Sequence, residues 1–287
     1  MRTTFTTSKS VPSKVDAVII PVASTGPVGS GIGLNREQLS ALGFEGRASQ
    51  TLALPADKGK VRILVGLGDV RDLDANGMRN VAAAAARAAS RYASVATTLA
   101  TAGRGATKAT AQAVVEGMAL ALHRWADLKN DKGSLPKLTS VTLVASTETT
   151  AVAAGMNAGI ATAGAVCRAR DFANTPPSHL TARAFAERAV AIAAESGLTS
   201  TVYDKDQLKA MGCGGLVGVN AGSVEPPRMV KLEYKPANAK SHVVLVGKGV
   251  MYDSGGISLK PSDPSHASMK MDMSGAAAVL ATMGALS

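Results

Sequence analysis

The chain has 287 residues, of which 46% are hydrophobic and 18% are charged. This apolar content is sufficient for the core of one large or two ordinary domains. The formal net charge of +10 admits an anionic partner. However, the basic residues are scattered and only 3% of the residues are aromatic, which argues against direct nucleic-acid binding.

Targeting and redox signals point to the cytoplasm. The first 22 residues lack an apolar segment of signal-peptide length, and no uninterrupted apolar run is long enough to span a bilayer. Cys167 and Cys213 are far apart and lack metal-binding spacing, which excludes a disulfide framework and favours a reducing compartment. We therefore expect a soluble cytoplasmic protein without a membrane segment.

The first half of the chain alternates short β-branched runs with alanine-rich helical patterns, which predicts a layered α/β domain. The predicted strands are residues 15–24, 49–56, 60–69, 94–101 and 138–146. The predicted helices are residues 74–93, with Asp74 or Asn76 as the cap, and residues 107–128.

A long helical pattern over residues 148–177 links the two halves and ends where Pro176 and Pro177 forbid its continuation. We expect an N-terminal domain over residues 1–150, a linking helix over 151–175 and a second α/β domain over 176–287.

The second half again alternates helices and strands. The predicted helices are residues 178–197, with Thr181 as N-cap and Gly197 as a stop, 205–212 and 272–286. The predicted strands are residues 199–204, 214–222, 228–236 and 241–249.

Four charged residues at the end of the chain suggest a chemical site. Lys248 follows a predicted buried strand, Asp253 lies in a glycine-rich turn, and Asp272 precedes a helix. Carboxylates suit Mg²⁺, Mn²⁺ or Zn²⁺, and a dication would relieve their mutual repulsion. Lys260 would then remain cationic and face developing negative charge. On residue types alone, a solvated loop with surface ion pairs is the competing interpretation.

The exact residues around these four positions favour a chemical site over a solvated loop. "VGKGVMYDSGGISLKP" followed by "MKMDMSGAAAV" closely resembles the leucyl aminopeptidase or cytosol aminopeptidase family, peptidase family M17. "RDFANTPPSHLTARAFAERA" and "LKAMGCGGLVGVNAGSVEPPRMVKLEY" resemble two further segments of that family. The similarity covers roughly residue 170 to the end, whereas the N-terminal part fits the family's macro-like domain by architecture only.

The resemblance implies an N-terminal macro-like α/β domain, a linking helix and a C-terminal zinc-peptidase α/β domain, here in part. It implies release of leucine-like N-terminal residues from peptides by two divalent ions, Mn²⁺ or Zn²⁺, in a homohexamer. By motif position, Lys248, Asp253 and Asp272 resemble metal ligands, and Asp253 would bridge both ions. Lys260 resembles the catalytic lysine, and Met269 resembles a wall of the side-chain pocket. We expect Met271 and Met273 to belong to the core.

The chain departs from the family pattern in two places. The family's later Asn-Thr-Asp-Ala-Glu-Gly-Arg motif, which supplies further ligands and an arginine, is absent. The chain therefore resembles one that is truncated within the catalytic domain, and we expect it to bind metal weakly and to be inactive alone. The loop between Lys260 and Asp272 is also one residue longer than the usual pattern.

A non-catalytic binding module is the alternative function. The glycine-rich "STGPVGSGIG" follows the first predicted strand, but Leu34 stands where a dinucleotide fingerprint needs its last glycine. On this interpretation the macro-like domain would bind an ADP-ribose-type ligand, or the basic chain would bind nucleic acid. His266 lies in the candidate site loop and is a lesser candidate for contact with substrate.

Overall fold

The computed structural model describes residues 2–131 and 135–286. The chain divides into two compact units, Met1–Gly164 and Ala165–Ser287. The division lies inside one long helix. The predicted mixed α/β class is confirmed.

Within the described residues, the N-terminal unit forms a six-stranded sheet. Its strands are β1 (Thr4–Ser8), β2 (Ala17–Ala23), β3 (Thr51–Asp57), β4 (Lys60–Gly68), β5 (Ser94–Thr97) and β6 (Ser140–Val144). Their order is β1-β6-β5-β2-β4-β3, and every pairing is parallel except that of β3 with β4. The sequence predicted five of these strands and missed β1.

Helices cover this sheet. They are α1 (Arg36–Ala41), α2 (Ala75–Ala88), α3 (Thr107–Leu122) and the first part of α4 (Thr149–Asn174). The Asp74 carboxylate accepts the Gly77 N–H and caps α2, which decides between the two caps that the sequence suggested. Helix α3 ends earlier than predicted because His123 takes an extended backbone conformation. Helix α1 was not predicted.

Glycines allow the helices of this unit to pack at very short range. A Cβ atom on Gly117 of α3 would lie 2.2 Å from the Arg79 carbonyl oxygen of α2. A Cβ on Gly155 of α4 would lie 2.1 Å from the Lys108 carbonyl oxygen of α3. The core beneath them consists of β-branched strand residues, leucines and alanines, including Ile19, Ile63, Val81, Ala85, Val114 and Leu143.

The α2–α3 contact also contains a buried carboxylate. Glu116 of α3 is almost fully buried and accepts hydrogen bonds from the Arg79 guanidinium and from the Gln112 side-chain amide. A buried charge is tolerated when it is paired and hydrogen-bonded, and both of these carboxylate oxygens have a donor.

Helix α4 is long and apolar enough to cross a membrane by length and composition, with a mean hydropathy of 1.3 over its most apolar window. Packed helices of soluble proteins share this property. Gly155 and Gly159 pack their backbone against α3, so this part of α4 forms a helix–helix contact within the N-terminal unit.

The C-terminal unit contains short elements. They are α5 (Ala182–Glu195), β7 (Thr199–Tyr203), α6 (Lys205–Ala210), α7 (Gly214–Val219), β8 (Met229–Glu233), α8 (Pro264–Ser268) and α9 (Ser274–Met283). Thr181 caps α5, as predicted, and strands β7 and β8 form an antiparallel pair. Gly197, with φ of +61°, follows α5 in the left-handed conformation that glycine adopts without strain.

Two predicted strands of this unit are wrong. Most of the predicted strand 214–222 forms helix α7 (Gly214–Val219) and the turn after it, which close through local hydrogen bonds rather than through a neighbouring strand. The segment 241–249 is irregular, and Val243, Val244 and Val246 are largely exposed. A buried parallel strand needs neighbours, and none is paired with this segment within residues 2–131 and 135–286.

A small core holds α5, α9 and the end of α4 together. It contains Phe172, Leu180, Ile192, Met273 and Leu280. Met273 is fully buried, as predicted, whereas Met271 is 47% exposed and does not belong to the core. Residues two positions apart point to different faces of a helix, so these two methionines do not share the core face.

Candidate functional site

The backbone around Lys248 lies directly against the first turn of α9. A Cβ on Gly247 would lie 2.6 Å from the Ala276 Cα, so only glycine allows this approach. The Ala276 N–H donates to the Lys248 carbonyl oxygen at 2.8 Å. Lys248 is thereby fixed beside the residues that precede α9.

The glycine-rich turn fixes Asp253. Its Oδ1 accepts the Gly255 N–H at 2.9 Å. Gly255 has φ of +95°, and a Cβ there would lie 2.5 Å from the Ser258 carbonyl oxygen. The Lys260 N–H then donates to the Ser254 carbonyl oxygen at 3.0 Å, which closes the turn and brings Lys260 back beside Asp253.

A short helix carries the chain from Lys260 to Asp272. Asp263 caps α8 by accepting the N–H groups of Ser265 and His266 at 2.9 Å and 3.0 Å. These backbone hydrogen bonds lower the pKa of Asp263, that from His266 most strongly. The one-turn 3₁₀ helix Met269–Met271 follows and leads into Asp272.

Four charged side chains meet as two ion pairs. Lys248 Nζ lies 2.8 Å from Asp272 Oδ2, and Lys260 Nζ lies 3.1 Å from Asp253 Oδ2. The side chains of Lys248 and Asp272 are 57% and 17% exposed, and those of Lys260 and Asp253 are 30% and 32% exposed. The two positive and two negative charges balance within the cluster.

Electrostatics couple the two pairs. The hydrogen bond to Asp272 raises the pKa of Lys248, and the charge of Asp253 contributes in the same direction. The Gly255 N–H, followed by the Lys260 ammonium, lowers the pKa of Asp253, and the charge of Lys248 adds to this effect. All four residues singled out from the sequence therefore lie in one electrostatic cluster.

The donor types of this cluster fit a divalent cation. Two carboxylates and one amine are grouped where positive charge is already stabilised. Among the described residues, no group of three or more His, Cys, Asp or Glu side chains could hold a metal ion. The cluster thus offers a partial set of ligands. Met269 lies in the one-turn 3₁₀ helix beside Asp272 and is partly exposed.

Sequence reasoning missed one contact in this region. The rings of Tyr252, next to Asp253, and His266 of α8 lie 5.5 Å apart between centroids. This contact connects the turn that holds Asp253 with helix α8. The sequence shows an aromatic ring in each of these segments, but it could not predict that the two rings are in contact.

The glycine-rich loop of the N-terminal unit lines a shallow depression, and two of its polar side chains make bonds within this region. Asn35 accepts the Gln38 N–H and caps α1. Arg36 donates to the carbonyl oxygens of Ala23, Ser24 and Gly26. These contacts give Asn35 and Arg36 a structural role in the loop.

Comparison with known proteins gives two matching family models. The catalytic domain of the cytosol aminopeptidase family matches residues 167–287, and its N-terminal domain matches residues 33–132. A probable cytosol aminopeptidase of Rhodococcus jostii is 40% identical over 95% of this chain and 56% of its own length. One of Streptomyces avermitilis is 39% identical over 86% of this chain and 50% of its own length.

Solved structures agree in fold. The bottromycin maturation enzyme BotP in complex with Mn has a TM-score of 0.80 and 38% identity, over 95% of this chain and 56% of its own. A mutant of tomato leucine aminopeptidase has a TM-score of 0.81 at 23% identity, over 99% of this chain and 59% of its own, which supports the fold.

The chain spans about half the length of the curated relatives it matches. The two family models together cover most of the chain, and the residues of the charged cluster lie within the catalytic match. The chain therefore belongs to the cytosol aminopeptidase family, peptidase family M17.

Proposed function

We propose that this chain carries part of the active site of a metal-dependent aminopeptidase that releases leucine-like N-terminal residues from peptides. The observation that supports this most directly is the cluster of Lys248, Asp253, Lys260 and Asp272, which lies in the catalytic-domain match. The names of the relatives support the same activity.

In this proposal Lys248, Asp253 and Asp272 would hold two divalent ions, Mn²⁺ or Zn²⁺. Carboxylate oxygen and amine nitrogen are suitable donors for both metals. The Mn-containing structure of the relative BotP supports the use of a divalent ion. When bound, such ions supply Lewis-acid chemistry at the scissile carbonyl.

Lys260 acts on the substrate. Its ammonium would donate to the carbonyl oxygen, where negative charge develops during attack, and a fixed donor of this kind contributes about 2.7–4 kcal/mol. Met269 would form an apolar wall for the leucine-like side chain, because its flexible thioether adapts to varied shapes.

The remaining expectations form part of the same proposal. The domains would divide as residues 1–150, 151–175 and 176–287, in a homohexameric cytoplasmic peptidase. Because the described residues provide two carboxylates to the cluster, this chain alone would bind metal weakly and turn over little peptide.

Manganese binding tests the ligand assignment. The electron paramagnetic resonance signal of free Mn²⁺ should fall on addition of the protein, and Asp253→Asn or Asp272→Asn should weaken binding by about tenfold or more. Asp206→Asn removes a carboxylate that pairs with Lys209 on α6 and is the matched control. Equal binding by all variants would exclude the proposed ligands.

Peptidase activity is tested separately. With leucine p-nitroanilide and added Mn²⁺, we expect little turnover by this chain. Appreciable turnover that is insensitive to Lys260→Met would contradict the proposed role of Lys260.

A further inference from the structure

We propose that His266 is a positioning residue for Lys260, because its ring packs on Tyr252 and fixes helix α8 against the turn that carries Asp253 and Lys260. This inference deepens the proposed function and rests on it for the role of Lys260. It gives His266 a task that acts through another residue of the site rather than through contact with substrate.

The turn between Asp253 and Lys260 is closed by contacts within itself. The Gly255 N–H donates to Asp253 Oδ1 at 2.9 Å, and Gly255 forms a β-bridge with Leu259. The Lys260 N–H donates to the Ser254 carbonyl oxygen at 3.0 Å. These contacts determine the shape of the turn, but they do not determine how the turn is oriented toward α8. That orientation needs a contact from outside the turn.

The contact between Tyr252 and His266 is such a connection. Lys260 is joined to α8 through residues 261–263, and a single short link still allows a helix to rotate about it. The two rings provide a second link, with 5.5 Å between their centroids and 38° between their planes. This separation lies in the range of favourable aromatic pairs. Two connections together fix an orientation that one alone leaves free.

The backbone of His266 is itself held on both sides. Its N–H donates to Asp263 Oδ1 at 3.0 Å, and its carbonyl oxygen accepts the Met269 N–H at the end of α8. The ring therefore projects from a fixed position. Because Met269 follows one helical turn later, the same contact would also fix the proposed pocket wall relative to the turn of Lys260.

The hydrogen bonding of the His266 ring favours packing as its task. Its Nε2 is buried and makes no hydrogen bond with residues 2–131 and 135–286. Burial of a polar atom without a partner costs free energy. The contact therefore depends on the flat ring rather than on this nitrogen, and a phenyl ring should replace the imidazole without loss.

A double-mutant cycle tests the contact between the two rings. Amide hydrogen exchange at Gly255 and Lys260 reports opening of the turn. We expect Tyr252→Leu and His266→Leu each to raise both exchange rates about two- to tenfold, which corresponds to the strength of an aromatic pair. The double variant should exchange no faster than the faster single variant, because a shared contact is lost only once. Effects that multiply in the double variant would overturn the proposal.

Rescue by a conservative variant separates positioning by the ring from general damage to the fold. His266→Phe keeps a flat ring and removes the buried nitrogen, so both amides should exchange at the unsubstituted rate or more slowly. Exchange as fast as in His266→Leu would show that the ring does not position the turn.

His179→Leu is the matched control and should leave both exchange rates unchanged. It removes an exposed imidazole whose Nδ1 is hydrogen-bonded to the adjacent Ser178 hydroxyl. None of these measurements involves a metal ion or peptide turnover. Failure of the Mn²⁺-binding test would therefore refute the proposed ligands and leave the result on His266 unaffected.

Discussion

At the scale of single residues, the site depends on backbone geometry more than on the strength of its ion pairs. Both pairs are partly exposed, and such pairs contribute little to folding. Gly247 and Gly255 do more, because a side chain at either position would collide with backbone. The charged groups therefore stay close because the glycines let the main chain bring them together.

The turn at Gly255 provides a direct prediction. Gly255→Ala should destabilise the turn by about 1–2 kcal/mol, the cost of a left-handed conformation for a residue with a side chain, before the collision with Ser258 is counted. Hydrogen exchange of the Lys260 N–H should accelerate about tenfold. Gly256→Ala is the matched control, since a Cβ there has nothing within 4 Å. Equal exchange in both variants would contradict this account.

The cap of α8 gives a pH prediction. Because the folded-state pKa of Asp263 is lowered, its contribution is fully present above the ordinary value of 3.8 and is lost as pH falls through the lowered value. Amide exchange at Ser265 and His266, compared with an uncapped reference peptide, should then lose its protection. At neutral pH, Asp263→Ala should lower the protection factor of these amides about fivefold, whereas Asp263→Asn should retain most of the protection. Unchanged protection in Asp263→Ala would contradict the cap.

The charged residues of the site could be predicted from the sequence because the literal motifs around them resemble those of a known family, whereas their spacing alone is weak evidence. The pairing of Lys248 with Asp272 and of Lys260 with Asp253 could not. It depends on the approach of α9 to Gly247 and on the bridge across Gly255, and both are tertiary contacts.

At the scale of elements, small residues line the contacts between the helices of the N-terminal unit. Alanines and glycines on α2, α3 and α4 let the helix backbones approach closely, which explains the high alanine content of this part of the chain. Larger side chains would separate the helices and leave the core poorly packed.

Two glycines of α4 allow a matched test. Gly155→Ala should destabilise the chain by about 1–3 kcal/mol through overpacking, since its Cβ would lie 2.1 Å from a backbone oxygen. Gly164→Ala meets nothing within 4 Å and should stabilise the helix by about 1 kcal/mol. Urea unfolding followed by circular dichroism measures both. The same sign for the two variants would rule out the proposed close contact.

The strands and helices could be predicted from the sequence where local patterns determine the structure. Strands β2 to β6 and the caps of α2 and α5 follow from β-branched runs and from Asp74 and Thr181. It failed at residues 214–222 and 241–249, since a β-branched run becomes a strand only when another strand pairs with it. Nothing within a short window of sequence shows whether that partner is present.

At the scale of the whole molecule, the two units differ in how much core they contain. The N-terminal unit has a large continuous core, whereas the core of the C-terminal unit is a smaller cluster around Phe172 and Met273. The charged cluster lies in the unit with the smaller core, and its chemistry therefore relies on short-range turns and caps.

The exposed run of residues 243–246 has a practical consequence for handling the protein. Four adjacent aliphatic side chains without Pro or charge form a segment that tends to self-associate. The net charge of +10 keeps molecules apart at low ionic strength, and salt screens that repulsion. Val244→Lys should therefore reduce light scattering at high salt and high concentration, whereas Val244→Leu should not. Equal scattering by the two variants would show that the molecules self-associate through a different surface, and solubility would then have to be improved by substitutions there.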